Sequence, residues 1–280
     1  MLRILLVRHG QCDMNLTVDQ RIGGRTNHSP LTPLGERQAQ ALGAHLRAAL
    51  AHAGVQPQRC AFFSSTAVRA VDTARLVMQA LDVPTDKLTS SEQLLELDQG
   101  EWEGAVRREC FTPELTAAFA ADPWGLAWDF APPGGESQRQ VEQRMTQYLV
   151  QHVLPHARPD APAIVVSHGM AIKCFLRGIL HSLPTMSRNI ALANTSVTEV
   201  GFSPAKHGSS GDTTGGGGGS VDGNTNTSGQ AAVVDSSREP AAAADGRPAN
   251  GGMAGGSWHV LRINDQAHLP FDLECAHLSV

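Results

Sequence analysis

The chain has 280 residues, 41% of them hydrophobic, with 27 acidic against 22 basic side chains and a net charge of −5. That allows one large domain or two small ones with a substantial core. The acidic balance excludes a basic nucleic-acid-binding surface but leaves room for a locally positive pocket.

Leu2 to Val7 is a short, mostly apolar run, the mark of a strand covered on both faces. It runs straight into Arg8-His9-Gly10 with no small-residue cleavage site, so it reads as a strand rather than a signal core. Helical spacing follows from Leu34 to Leu50, entered through Thr32-Pro33, a good N-cap and first-turn pair. Arg59 to Phe63 reads as a second strand and Thr66 to Leu81 as a helix, while Leu88 to Leu97 is a weaker strand approaching a turn at Gly100 and Gly104. Between Cys110 and Pro133, Phe111, Phe119, Trp124, Trp128 and Phe130 lie among prolines, as in an appended lobe, which we place at about 105–135. A helix is expected from Glu136 to Leu154, a buried strand from Ala163 to Val166, a helix from Met170 to Leu180 and a strand from Thr195 to Phe202.

Strands alternating with helices predict an α/β fold, a three-layer sandwich whose mostly parallel central sheet is flanked by helices, with a small helical lid. Composition breaks sharply at 203–256, a Gly/Ser-rich stretch almost without large apolar side chains. Such a segment buries too little to offset its ordering entropy, so a long disordered loop is expected there. Trp258 to Ile263 again reads as a strand, predicting a hairpin with Val197 to Phe202 whose loop has been expanded. The catalytic domain would then comprise 1–202 and 257–280; the alternative is an independent tail from Ser203 onward. No docking motif is visible in the insertion.

No apolar run approaches the roughly 18 residues that span a bilayer, so no membrane partner is expected. Five cysteines (Cys12, Cys60, Cys110, Cys174 and Cys275) form neither a metal-ligand spacing nor a disulfide framework. Reduced thiols in a cytoplasmic setting, with no metal and no cofactor, are the simplest expectation.

Two strands end in histidine followed by glycine, Arg8-His9-Gly10 and Ser167-His168-Gly169. Ligands bind beyond the carboxyl ends of parallel strands, so both imidazoles are expected in one crevice, with the glycines permitting close backbone approach. Arg69 falls in the first turn of a helix that follows a strand, where free N–H groups already favour an anion. Guanidinium groups match phosphate oxygens, and Asn15 adds a neutral donor.

The segment LVRHGQCDMN, with NHSPLTPLGERQA, resembles the opening signature of the histidine phosphatase superfamily, in its phosphoglycerate-mutase-like branch. SSTAVRAVDTA resembles the family's second phosphate-binding arginine motif and LLELDQGEWEG its acid motif. PGGES, VVSHGMAI, NTSVT and RINDQAHL match further blocks in order. The resemblance implies that His9 becomes phosphorylated and that Arg8, Asn15, Arg69 and a protonated His168 surround the phosphate. It makes Glu96 the residue that protonates the leaving oxygen and then activates water. Gly169, Gly23 and Gly24 would border the substrate.

Three positions depart from the family's usual pattern: Gln11 where Glu is frequent, Met14 before the asparagine, and Gly23 where Gln or Thr often contacts phosphate. Plain alternatives exist as well. Glu96 alone could be a surface carboxylate, Cys12 a small buried hydrophobe, and Trp102, Trp124 and Trp128 lobe core instead of a substrate platform.

Three functions compete. The favoured one is a metal-independent phosphatase acting on small phosphomonoesters, with a small phosphorylated metabolite as its partner. The rivals are a phosphoglycerate mutase and an inactive binding or scaffold member of the same fold. The segment between Glu96 and PGGES resembles the phosphatase arrangement, because mutases carry a more basic lid there. The sequence fixes neither the substrate nor the oligomeric state.

Overall fold

A computed structural model describes residues 1–26, 28–205, 255–270 and 273. Six strands form one sheet: β1 (Leu2–Arg8), β2 (Ala61–Ser65), β3 (Leu88–Ser91), β4 (Ala163–Ser167), β5 (Val197–Pro204) and β6 (Gly256–Asp265). Their order is β3-β2-β4-β1-β5-β6. β3, β2, β4 and β1 run parallel, and β5 and β6 are antiparallel additions at one side.

Strand periodicity explains the three layers. In β1, Ile4 and Leu6 enter one apolar cluster and Leu5 and Val7 the other, and in β4 Val165 and Ile164 divide in the same way. Successive side chains point to opposite faces, so a strand apolar at every position needs cover on both sides. On one face lie α1 (Pro33–His52) and α2 (Val68–Ala80), presenting Leu42, Leu46, Ala74 and Met78. On the other lie α6 (Gln138–Tyr148) and α7 (Gly169–Leu180), presenting Val141, Met145, Phe175 and Leu176. The short helices α3 (Arg107–Cys110), α4 (Pro113–Ala121) and α5 (Leu126–Asp129) make the lobe, and α8 (Met186–Asn189) follows α7. Among the described residues no helix is long and apolar enough to cross a membrane.

The differences from the expected boundaries have local causes. Pro57–Arg59 closes a 3₁₀ turn, so β2 begins two residues later than periodicity suggests. The strand expected over Leu88 to Leu97 stops at Ser91, whose hydroxyl accepts from Gln93 N and starts a turn. Helix α6 opens with a Ser137/Gln140 capping box. It gives way to a π turn at Leu149–Val153 and a 3₁₀ turn at Leu154–His156, where Pro155 lacks the N–H a longer helix requires.

β5 and β6 form the expected hairpin, and their ladder extends further than composition suggested. Ser203 pairs with Ser257 and Pro204 with Gly256, and Ala205 N donates to Gly255 O at 2.7 Å. Residues 203, 204 and 256 therefore belong to the sheet. The remainder of the expected disordered loop, 206–254, lies outside the described residues. Trp258 seals the junction, with its ring 5.2 Å from Phe175 and 5.0 Å from Phe202.

Because β2, β4 and β1 are parallel, their carboxyl ends meet at one edge of the sheet, and α1 packs its first turn against it. A Cβ at Gly35 would lie 2.0 Å from Gln11 O, and one at Gly10 would lie 2.6 Å from Gly35 O. Both obstacles are backbone, which cannot swing aside. Gly35→Ala is expected to destabilise the protein by about 1–3 kcal/mol, the usual range for overpacking. Urea unfolding checks this; an unchanged midpoint would show that the contact is not tight.

Candidate active site

Three adjacent strands end in the groups that define the site. Ser65 closes β2, His168 follows β4, and His9 follows β1. Ser65 Oγ lies 2.7 Å from His168 Nε2, and the His168 and His9 rings are 5.0 Å apart, edge to face. The crevice expected from the two His-Gly pairs is present.

His9 Nδ1 lies 2.7 Å from Gly10 O. A carbonyl oxygen only accepts, so Nδ1 carries the proton and Nε2 keeps the lone pair. The backbone beneath is tied at every turn. His9 N donates to Ser167 O at 3.0 Å, and Thr195 N to Arg8 O at 2.9 Å. Asn194 Nδ2 donates to His9 O at 2.9 Å, and Gly10 N to Thr73 Oγ1 at 2.9 Å. Thr195 holds this position with φ at 56°, a left-handed conformation few residues other than glycine adopt readily.

Arg8, His9, Asn15, Arg69, Glu96, Gly23, Gly24 and Gly169 all line one cavity of about 450 Å³. His168 exposes no surface and stands behind His9. Arg69 reaches the cavity from the first turn of α2 and holds the loop opposite by donating to Gly24 O and Thr26 O. Arg8 donates to Leu192 O. Asn15 Oδ1 accepts from Cys12 N and from Asn194 Nδ2, which turns its amide Nδ2 away from those partners.

Glu96 is no loose surface carboxylate. Its oxygens accept from Met170 N at 3.1 Å, Ala171 N at 3.0 Å and Leu97 N at 2.8 Å, so it caps α7. Arg25 Nε and Arg144 both donate to Glu96 O and share Glu136 as counter-ion.

Burial first, and Arg69 and Arg8 next, hold His9 well below its ordinary value, while the Gly10 carbonyl pulls weakly the other way. Burial and then Arg69 and His9 do the same to His168. Among the described residues cations and no carboxylate stand against it, so nothing within the site itself favours the protonated form that the resemblance implies. His168 Nδ1 is a buried nitrogen without a hydrogen-bond partner among the described residues. Positive charge in the cavity comes from Arg8 and Arg69, from Lys173, a buried side chain near Arg8 and Glu96, and from Arg107 and Arg188.

The three sequence departures also have locations. Gln11 Oε1 accepts from Thr32 Oγ1 at 2.8 Å, so an amide serves at that position. A Cβ at Gly23 would lie 2.9 Å from Met14 Cε, so two of the departures face one another. At Gly24 an added Cβ would lie 2.0 Å from the Glu103 carboxylate, which accepts from Arg25 N and Thr26 N and would have to shift. At Gly169 the nearest atoms to an added Cβ are Arg8 Nε at 3.7 Å and Glu96 Oε2 at 3.9 Å. No backbone presses on it, so close approach is needed at Gly10 but not here.

The lobe roofs the cavity with Phe111, Phe119 and Phe130. The tryptophans take the other part. Trp128 is buried beneath Arg177, whose guanidinium carbon is 3.7 Å from its ring centroid, and none of Trp102, Trp124 and Trp128 lines the cavity. Cys12 is buried at the cavity wall. Sequence reading passed over Ser65, Thr73, Lys173, Arg25, Glu103, Glu136 and Arg144. Ser65, Thr73, Glu103 and Glu136 lie within the motif blocks quoted above, and Ser65 also ends a strand before the helix that carries Arg69. Among the described residues no group of three His, Cys, Asp or Glu is placed to hold a metal ion.

The sequence model of the histidine phosphatase superfamily (branch 1) matches residues 4–209. The chain is 34% identical over 212 residues to a probable phosphoglycerate mutase of Proteus mirabilis, an alignment covering 72% of this chain and 86% of that protein. It is 29% identical over 189 residues to a 2,3-bisphosphoglycerate-dependent phosphoglycerate mutase of Gloeobacter violaceus, covering 68% and 80%. Among solved structures, it is similar to a mutant phosphoserine phosphatase of Entamoeba histolytica in complex with phosphoserine, with a TM-score of 0.57, 26% identity and coverage of 74% and 93%. A mycobacterial glucosyl-3-phosphoglycerate phosphatase gives a TM-score of 0.58 at 25% identity, covering 72% and 92%.

The buried imidazoles make a prediction about stability. Each binds its proton more weakly in the folded chain than at the ordinary value of 6.5, so acidification below that value favours the unfolded state. His268, held at about 4 chiefly by burial, adds to the effect. The urea midpoint is expected to be highest above pH 7 and to fall steadily between pH 6.5 and 5. A His268→Asn variant should show a shallower fall. A midpoint that stays level across that window would mean that the imidazoles are not neutral.

Proposed function

The chain belongs to branch 1 of the histidine phosphatase superfamily, and we propose that it is a phosphatase that hydrolyses small phosphomonoesters through a phosphohistidine at His9. One observation carries this reading: a buried, neutral imidazole whose Nδ1 is tied to Gly10 O opens on a cavity walled by Arg8 and Arg69. A neutral imidazole nitrogen is a competent nucleophile, and covalent catalysis divides one difficult displacement into two.

In the first step His9 Nε2 attacks phosphorus and the bond to the leaving oxygen breaks. Glu96, as a carboxylic acid, gives its proton to that oxygen. In the second, the Glu96 carboxylate takes a proton from water, which attacks the phosphohistidine. The phosphorus–nitrogen bond breaks, releasing inorganic phosphate and neutral His9. Arg8, Arg69 and the Asn15 amide hold the equatorial oxygens, where charge gathers in transfer. His168, fixed by Ser65, keeps the His9 ring in place. The steps require no metal ion, and the phosphate-bearing partner is a small metabolite in the cytoplasm.

The rival reading is a phosphoglycerate mutase, the name carried by the sequence relatives above. It uses the same first step and returns the phosphoryl group to a substrate hydroxyl. The similarity to the two phosphatase structures above favours hydrolysis.

Purified protein is expected to release phosphate from a panel of phosphomonoesters in excess chelator, and to acquire an acid-labile phosphoryl label that is absent in His9→Ala. His9→Ala should lose roughly a thousandfold or more in kcat/KM, as loss of a nucleophile generally does. Arg69→Ala should lose about a hundredfold, the usual effect of removing one oxyanion donor. Rapid interconversion of 2- and 3-phosphoglycerate with negligible hydrolysis would establish the mutase instead. Equal, weak release by wild type and His9→Ala would leave a binding protein.

A further inference from the structure

The cavity is larger and more apolar than a small phosphate ester requires. A volume of about 450 Å³ encloses ligands of drug-like size, so a three-carbon phosphoester leaves much of it empty. Above the phosphate-binding end, the three roof phenylalanines are joined into one aromatic cluster by Trp102, which does not itself line the cavity. Phe111 meets Trp102 at 5.2 Å, Trp102 meets Phe130 at 5.3 Å, and Phe130 meets Phe119 at 5.1 Å. A guanidinium stands at each end, Arg107 at 5.6 Å from the Phe111 centroid and Arg188 at 4.7 Å from the Phe119 centroid.

Arg188 differs from the other arginines of the cavity wall. Arg8, Arg69 and Arg107 each donate to a backbone carbonyl of the protein. The side chain of Arg188, on α8, makes no hydrogen bond and no ion pair among the described residues, and its guanidinium lies over the Phe119 ring. It is half-buried, and desolvation lowers its pKa from the ordinary value. The carboxylates of the cavity wall are already engaged, Glu96 on the N-terminus of α7 and Glu136 with Arg25 and Arg144. α8 is itself held in place, with Ser187 Oγ donating to Gln138 Oε1 at 2.9 Å and to Pro184 O. A half-buried guanidinium carried on an anchored element and lacking an internal counter-ion is a recognition group for an anion.

We propose that Arg188 binds a second anionic group on the alcohol portion of the substrate, and that the phenylalanine roof covers an apolar skeleton between that group and the phosphate. The substrate class is then an amphiphilic phosphomonoester carrying a carboxylate or equivalent anion. This rests on the phosphatase reading above, and the test separates the two.

The probes are 2-, 3- and 4-carboxyphenyl phosphate, each paired with its neutral carbamoyl counterpart. Wild type is expected to favour at least one carboxylate isomer over its amide by about tenfold in kcat/KM, the scale of one charge-assisted hydrogen bond. In Arg188→Met, which keeps the apolar stem, that ratio falls to about one; in Arg188→Lys part of it remains. The ratio is unmoved by a general loss of fold or activity. A wild type with no preference for any isomer overturns the proposal, as does an Arg188→Met variant that retains it. If wild type hydrolyses none of the esters, the same pairs are compared by calorimetric binding. Charge preference in Kd that disappears in Arg188→Met would then sustain the anion subsite while the phosphatase reading fails, and its absence would end both.

Discussion

Gly10 O sits 2.7 Å from His9 Nδ1, and on that contact depends which nitrogen of the ring can act. An imidazole free to exchange tautomers or rotate would present its lone pair only part of the time. Here the choice is made by a backbone carbonyl, and the backbone is itself immobilised by Ser167, Thr195, Asn194 and Thr73. Three separate parts of the fold, β4, α2 and the loop before β5, therefore brace the backbone around that one carbonyl. The close passage of Gly35 against Gln11 belongs to the same arrangement, because it brings α1 up to the loop that leaves His9.

The second feature is an imbalance of charge. Salt bridges elsewhere in the protein are paired, as Arg177 with Glu142 or Arg3 with Glu199 are. At the cavity the guanidiniums of Arg8 and Arg69 face two imidazoles that their own field helps to keep neutral. A site so short of negative charge is complementary to a dianion, and its donors are fixed before any ligand arrives. Arg25, Arg144, Glu136 and Glu103 do not add to that field so much as brace the loops on which Gly24 and Glu96 are carried.

Much of this was legible in the amino-acid sequence. Apolar runs marked β1 and β4, and their ends in His-Gly located both imidazoles; Arg69 was placed by its position at a helix start. What could not be read was contact across the fold. Ser65 beside His168 and Asn194 beneath His9 lie 103 and 185 residues apart in sequence, and no local pattern joins them. The charge of His168 is no local property either, since burial and neighbours that only folding supplies act on it. The lobe was recognised by its aromatic residues, but which rings face inward depends on packing: Trp128 went beneath Arg177, and the phenylalanines took the roof.

The hairpin at the side of the sheet has a consequence for how the chain tolerates change. β5 runs antiparallel to β1, so Phe202 lies beside Leu2, at the pole of the sheet away from Arg8 and His9. The chain departs at Ala205 and returns at Gly255 through a single hydrogen-bonded gate. Material spliced in at that gate is tethered to the pole remote from the cavity mouth, and lengthening it raises the closure entropy only slowly. Both ends of any chain added there are anchored at the pole opposite His9, so the gate is a port for fusion whose attachment points lie far from the cavity.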